Sequence, residues 1–172
     1  ARELLYFDEQ ALPASAEAEL GACRVSWDTL VGRSDLLILA LPLTPDTRHM
    51  LDAAALAAAS PGLRIVNAGR GSVVDEAAVA EALAEGRLGG YAADVFEMED
   101  WALDDRPRRI APGLLTDEDR TLFTPHLGSG VVDTRRRIEA AAAHNLLDAL
   151  KGLVPADAIN HPDSLRGFDG AN

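Results

Sequence analysis

Short apolar runs alternate with helix-like stretches along most of this chain. Leu36-Leu37-Ile38-Leu39-Ala40-Leu41, stopped by Pro42, reads as a buried strand because its hydrophobicity is unbroken. Ile65-Val66, the segment 91–96 and Leu122-Phe123 repeat that signal, and Leu4-Leu5-Tyr6-Phe7 gives a shorter version ending at Asp8. Strands that are apolar throughout, rather than alternating, are covered on both faces, and strands separated by helices pair in parallel. The intervening periodicity predicts helices over 16–20, 52–59, 75–85 and 134–150. The third is the best marked: Asp75 is a good N-cap, apolar residues recur at 79, 82 and 83, and Gly86 suits the position after the helix. Residues 100–120 are polar and Pro-rich and read as a long surface loop; the tail from 155 shows no periodicity. The fold class these signals predict is α/β, an open parallel sheet with helices on its faces.

In such a sheet the carboxyl ends of the strands share one edge, and ligands bind there. Three polar residues follow three separate strands: Arg70 after 64–69, Glu99 after 91–96 and His126 after Leu122-Phe123. They are therefore expected to converge. A guanidinium clamps two oxygens of an anion at once. An imidazole titrates near neutrality, and a carboxylate beside it favours the imidazolium and holds one tautomer. The set is suited to binding a small anion and moving a proton next to it. Asp8, at the end of the earliest strand, stands where a dinucleotide fold holds ribose hydroxyls; a carboxylate there repels a 2′-phosphate and favours NAD over NADP.

The formal net charge of -12 argues against a nucleic-acid or anionic-membrane surface. Cys23 is the single cysteine, so an internal disulfide or a cysteine metal cluster is excluded, and no metal site is expected. No apolar run reaches membrane-spanning length, and a cytoplasmic location is the default expectation. Glu97 and Asp100 read as solvent or turn residues, His49, His144 and His161 as structural or exposed, and Met98 and Trp101 as packing residues of the loop or of an interface.

Four ordered segments together resemble the D-isomer-specific 2-hydroxyacid dehydrogenases. Asn67-Ala68-Gly69-Arg70-Gly71-Ser72-Val73-Val74-Asp75 resembles that family's arginine signature, and Leu41-Pro42-Leu43-Thr44 with Thr47 its cofactor-side loop. Ala93-Asp94-Val95-Phe96-Glu97-Met98-Glu99 resembles its glutamate signature, and Thr124-Pro125-His126-Leu127-Gly128-Ser129 its histidine signature. The resemblance implies a Rossmann-like, doubly wound NAD-binding domain over 1–130 and a C-terminal helix and tail over 131–172. It implies Arg70, Glu99 and His126 as catalytic residues, with Glu99 rather than Glu97 paired with the imidazole. It implies NAD contacts from Asp8, Ala40, Leu41, Pro42, Ala68, Asp94, His126 and Ser129, a substrate set of Arg70, His126 and Arg135, and a homodimer.

A narrower likeness lies in Glu97-Met98-Glu99-Asp100-Trp101-Ala102 and Asp105-Arg106-Pro107-Arg108, where most of the family has a proline soon after the second glutamate. That version is similar to phosphite (phosphonate) dehydrogenases, which oxidise phosphite to phosphate with NAD. The expected activity is accordingly NAD-dependent phosphite oxidation. The alternatives are a glyoxylate/hydroxypyruvate reductase-like 2-hydroxyacid dehydrogenase and a non-catalytic NAD-family binding module. In the doubly wound order 3-2-1-4-5-6 the first strand, which carries the G-x-G-x-x-G loop, is central. No such loop precedes Asp8, and Gly69-Arg70-Gly71 lacks the third glycine. The strands at 4–7 and 36–41 are thus expected to lack a partner between them, and the chain to be the C-terminal portion of a longer enzyme, inactive alone.

Overall fold

The structure, a computed structural model, describes residues 3–159. His161 and the rest of the tail lie outside the described residues. The chain divides after Pro125 into two compact units.

The first unit opens with β1 (Leu4–Tyr6), α1 (Ala14–Leu20), β2 (Ala22–Arg24) and α2 (Trp27–Arg33). It continues with β3 (Leu36–Leu39), α3 (Ala53–Ala57), β4 (Leu63–Asn67), α4 (Glu76–Ala84), β5 (Leu88–Ala93), α5 (Pro112–Leu115) and β6 (Thr121–Phe123). All strand pairs are parallel, as predicted. They form two sheets, β1-β2 and β3-β4-β5-β6. Among the described residues β1 pairs with β2 alone and β3 with β4 alone. This is the break expected when the central strand of the doubly wound order is not among the residues present. The strand ends fall earlier than their hydrophobicity suggests. β3 stops at Leu39 and β5 at Ala93.

α4 shows how local sequence dictates these elements. The Asp75 side chain accepts from the Ala78 amide at 3.0 Å, which satisfies an orphan donor of the first turn, and Gly86 takes φ 72° just beyond the helix. Val79, Ala82 and Leu83 are buried. They join Leu37 and Leu39 of β3, Leu63 and Ile65 of β4, Tyr91 of β5, Leu56 of α3 and Leu114 of α5 in one core. Coverage of both sheet faces was expected; within the described residues the helices α2, α3, α4 and α5 pack this one core. The other face carries the register row Ile38, Val66, Ala92 and Leu122, whose outer members are 61% and 70% exposed.

Two elements were not apparent in the sequence. β2 is three residues with one polar end, below the length at which alternation is visible. α2 is announced only by Ser26, whose hydroxyl accepts from the Thr29 amide at 3.3 Å, and it is anchored by buried Leu30 and Val31. The loop expected at 100–120 holds the one-turn α5, started by Pro112 at its first position, with Leu114 fully buried.

The second unit contains α6 (Val132–Leu150), the long helix predicted over 134–150. Gly152 follows it at φ 75°. No helix among the described residues is long and apolar enough to cross a membrane.

Candidate active site

Three loops from the carboxyl ends of β3, β4 and β5 surround one cleft of about 730 Å³. Ala40, Leu41, Pro42 and Leu43 form one wall; Ala68, Gly69 and Arg70 a second; Glu99, Asp100, Trp101 and Ala102 a third. Arg70 and Glu99, 29 positions apart in sequence, therefore share a cavity.

Each wall is held by bonds its own sequence supplies. Asn67, the fully buried last residue of β4, brackets the arginine loop: its Oδ1 accepts from the Gly69 amide at 3.1 Å and its Nδ2 donates to the Arg70 carbonyl at 3.0 Å. A Cβ on Gly69 would stand 2.6 Å from the Leu41 carbonyl oxygen, so only glycine lets these two walls meet. Thr47 Oγ1 donates to the Pro42 carbonyl at 2.8 Å and accepts from the Thr44 amide at 2.8 Å, which fixes the first wall. The guanidinium of Arg70 is exposed, and its Nη1 donates to the Gly69 carbonyl at 2.9 Å. Asp94 accepts from the Thr124 hydroxyl at 2.5 Å, while its amide donates to the Asn67 carbonyl at 3.1 Å.

The glutamate wall departs from expectation at Glu97, which reads as a solvent or turn residue and is buried. Asp100 does begin a turn, its carbonyl accepting from the Leu103 amide at 2.9 Å, but it is half-buried. Glu97 is 7% exposed. Its Oε1 accepts from the Glu76 amide at 2.8 Å, and its Oε2 lies 2.9 Å from His49 Nε2. Glu76, 1% exposed, returns the bond by accepting from the Glu97 amide at 2.8 Å. Burial, reinforced by the Glu97 carboxylate and only partly offset by the amide Glu76 accepts from, pushes the Glu76 carboxyl from 4.5 up to about 7. Asp100 Oδ2 accepts from the Ser72 amide at 2.7 Å. These carboxylates cap 3₁₀ and helical turns at Gly71–Val73, Glu76–Ala84 and Glu97–Glu99 from across the fold. A long-range cap leaves no local pattern, so a first-turn glutamate facing inward looks in sequence like one facing water.

Gly71 completes this junction. A Cβ there would lie 1.9 Å from the Phe96 carbonyl carbon and 2.2 Å from the Glu97 nitrogen, so backbone meets backbone. Gly71→Ala is expected to cost about 2 kcal/mol, because neither chain can rotate a side chain out of the way. Urea unfolding midpoints measure it; an unchanged midpoint refutes the contact.

Trp101 is 78% exposed, and the Arg106 guanidinium carbon sits 4.3 Å from its ring centroid. Arg106 is itself buried, donating from Nε to the Met98 carbonyl. Trp101 thus forms part of the cleft wall as well as packing the loop, the role expected of it.

Asp8 is exposed at the end of β1, and its carboxylate accepts from the Gln10 amide at 2.9 Å, an Asx turn. Arg24 donates to the Asp8 and Glu9 carbonyls at 2.6 and 3.0 Å. In the second unit, His126 adopts φ 54°, a left-handed conformation rare for non-glycine residues and common at functional positions. Ser129 and Arg135 are exposed in that unit, Arg135 in the first turns of α6. Among the described residues no group of three or more His, Cys, Asp or Glu is arranged to hold a metal.

The residues present fit one end of a nicotinamide dinucleotide. An apolar slot of Ala40, Leu41, Pro42 and Ala68 beside a cation and a carboxylate suits a flat nicotinamide ring next to an anionic substrate. The pyrophosphate cradle is not supplied, because the sequence contains no G-x-G-x-x-G.

The family model for the D-isomer specific 2-hydroxyacid dehydrogenase NAD binding domain matches residues 2–128. The chain is similar to glyoxylate/hydroxypyruvate reductase B of Pectobacterium carotovorum subsp. carotovorum, with 37% identity over 147 residues, 86% of this chain and 43% of that protein. Among solved structures it resembles Rhodotorula graminis D-mandelate dehydrogenase at TM-score 0.77 and 32% identity, covering 91% of this chain and 44% of that one. It also resembles a glyoxylate reductase from Paecilomyes thermophila at TM-score 0.74 and 33% identity, covering 86% and 42%. The chain thus spans less than half the length of these relatives. With the family model covering most of its length and the arginine, glutamate and cofactor-side loops closing on one cleft, the chain belongs to the D-isomer specific 2-hydroxyacid dehydrogenase NAD-binding domain family.

Proposed function

We propose that this chain carries the cofactor half of an NAD-dependent dehydrogenase that interconverts small 2-oxoacids and 2-hydroxyacids of the glyoxylate and hydroxypyruvate type. The observation that carries the reading is the shared cleft of Arg70 and Glu99 beside an apolar slot. Arg70 would clamp the substrate carboxylate through its planar fork. His126 would exchange a proton with the hydroxyl oxygen of the reacting carbon, with Glu99 stabilising the imidazolium and fixing its tautomer. Bound NAD supplies the hydride acceptor. Arg135 and Ser129 would add contacts on the substrate side, and Asp8 would select NAD over a 2′-phosphorylated cofactor.

Phosphite oxidation is the second reading. It rests on Glu99-Asp100-Trp101-Ala102, where Asp100 is bonded to Ser72 and Trp101 lines the cleft. The relatives named for glyoxylate and hydroxypyruvate favour the first reading. Formation or loss of NADH with glyoxylate, hydroxypyruvate and phosphite in parallel separates the two. Turnover of the oxoacids supports the first reading, and turnover of phosphite alone replaces it with the second. The assay uses the whole dehydrogenase proposed above, since this chain is expected to be inactive alone, and absence of NADH binding and of turnover there with all three sinks both.

A further inference from the structure

The walls bearing Arg70 and Glu99 are joined behind the cleft by a buried junction that none of the chemistry above uses. Glu97 and Glu76 exchange main-chain hydrogen bonds, each carboxylate capping the other's segment at 2.8 Å. Glu97 spends its second oxygen on His49 Nε2 at 2.9 Å, and the His49 amide donates to the Ser72 carbonyl at 2.7 Å. His49 adopts φ 50° to do so. One carboxylate therefore ties three segments: the turn ending in Glu99, the start of α4 that follows the Arg70 turn, and the His49 loop. Asp100–Ser72 and the Phe96–Gly71 backbone contact lie alongside.

We propose that Glu97 is a positioning residue that sets the separation between Arg70 and Glu99 across the cleft. Neither end of its bonding reaches the cavity, since Glu97, Glu76 and His49 line a different hollow on the other side of the junction, together with Arg48, Asp105 and Ile110. The side chain acts through the two turns. Displacement of a reacting group by about 1 Å is enough to cost about 10²-fold in rate, and loss of a double cap is a means of producing it. The inference rests on the dehydrogenase reading for its kinetic test, but its geometric content stands apart from that reading.

Glu97→Ala is expected to lower kcat about 10²-fold while KM changes little. Glu97→Gln keeps an oxygen to accept from the Glu76 amide and is expected to recover most of the loss. Glu97→Asp keeps the charge but not the reach and is expected to stay near the alanine variant. A purely structural role would instead order the three variants by melting temperature, with kcat per folded molecule unchanged. Amide hydrogen exchange gives the second readout. In Glu97→Ala, residues 70–73 and 97–100 lose protection together while 79–84 keep theirs. Unchanged kcat in all three variants, or exchange that rises in only one of the two turns, overturns the proposal. The kinetics are measured in the whole dehydrogenase proposed above, because this chain is expected to be inactive alone; inactivity of that enzyme on every substrate defeats the dehydrogenase reading, and the exchange result, read on this chain, then decides this one.

Discussion

In the whole dehydrogenase proposed above, replacing Arg70 by alanine is expected to lower kcat/KM for the anionic substrate about 10³-fold, equivalent to about 4 kcal/mol, and to leave NADH affinity unchanged. The guanidinium is the cation of the cleft wall opposite Leu41 and Pro42, and its loop is built to present it. Asn67 spends both ends of its amide on the main chain around Arg70, and Gly69 exists to let that loop touch Leu41. Alanine removes the charge-assisted contacts without disturbing those bonds, since they use main-chain atoms of residues 69 and 70. Arg70→Lys restores a positive charge but not a planar fork, so it is expected to remain about 10²-fold impaired. Steady-state kinetics with each candidate substrate, alongside NADH titration, measure both effects. Retention of kcat/KM in the alanine variant within about tenfold would remove Arg70 from the substrate site.

What could be read in the sequence, and what could not, follows the range of the interactions involved. The strand and helix signals and the caps of α4 depend on residues close together in the chain, and the parallel strands and α4 are found as expected. The segment Leu41-Pro42-Leu43-Thr44 with Thr47 is legible only through its likeness to the family, although Pro42, Thr44 and Thr47 bond within six positions. Glu97 was not, because its partners Glu76 and His49 are 21 and 48 positions away. Only Gly71 hinted at the junction, and its glycine looked like part of a signature rather than the point where two backbones touch. The same limit applies to α2 and β2, whose existence is decided by packing on neighbours rather than by periodicity.

Substituting Glu76 by glutamine should flatten the loss of stability that the wild type suffers between about pH 4.5 and about pH 7. Folding raises the Glu76 carboxyl from its ordinary 4.5 to about 7, so the folded state holds a proton that the unfolded chain releases. A raised carboxyl contributes its full stability below the unfolded value and loses it as pH climbs through the folded one. The wild type is therefore weakened steadily across that window and levels off above it, by an amount on the order of 3 kcal/mol at about 1.4 kcal/mol per tenfold in proton affinity. Burial sets the direction and the charges of Glu97 and Glu99 reinforce it, while Tyr91 is buried and neutral beside Glu76 and His49 is engaged by the Glu97 carboxylate instead. Glutamine keeps the oxygen that accepts from the Glu97 amide and cannot titrate. Its amide group occupies the place of Glu76 Oε2, which is buried without a partner, and this adds an offset that does not vary with pH. Urea midpoints from pH 4.5 to 8 separate the two, because the offset shifts the whole curve and the titration changes its slope. Parallel curves for wild type and Glu76→Gln would mean that the carboxyl is ionised throughout the range, leaving two charges side by side at the junction behind the cleft.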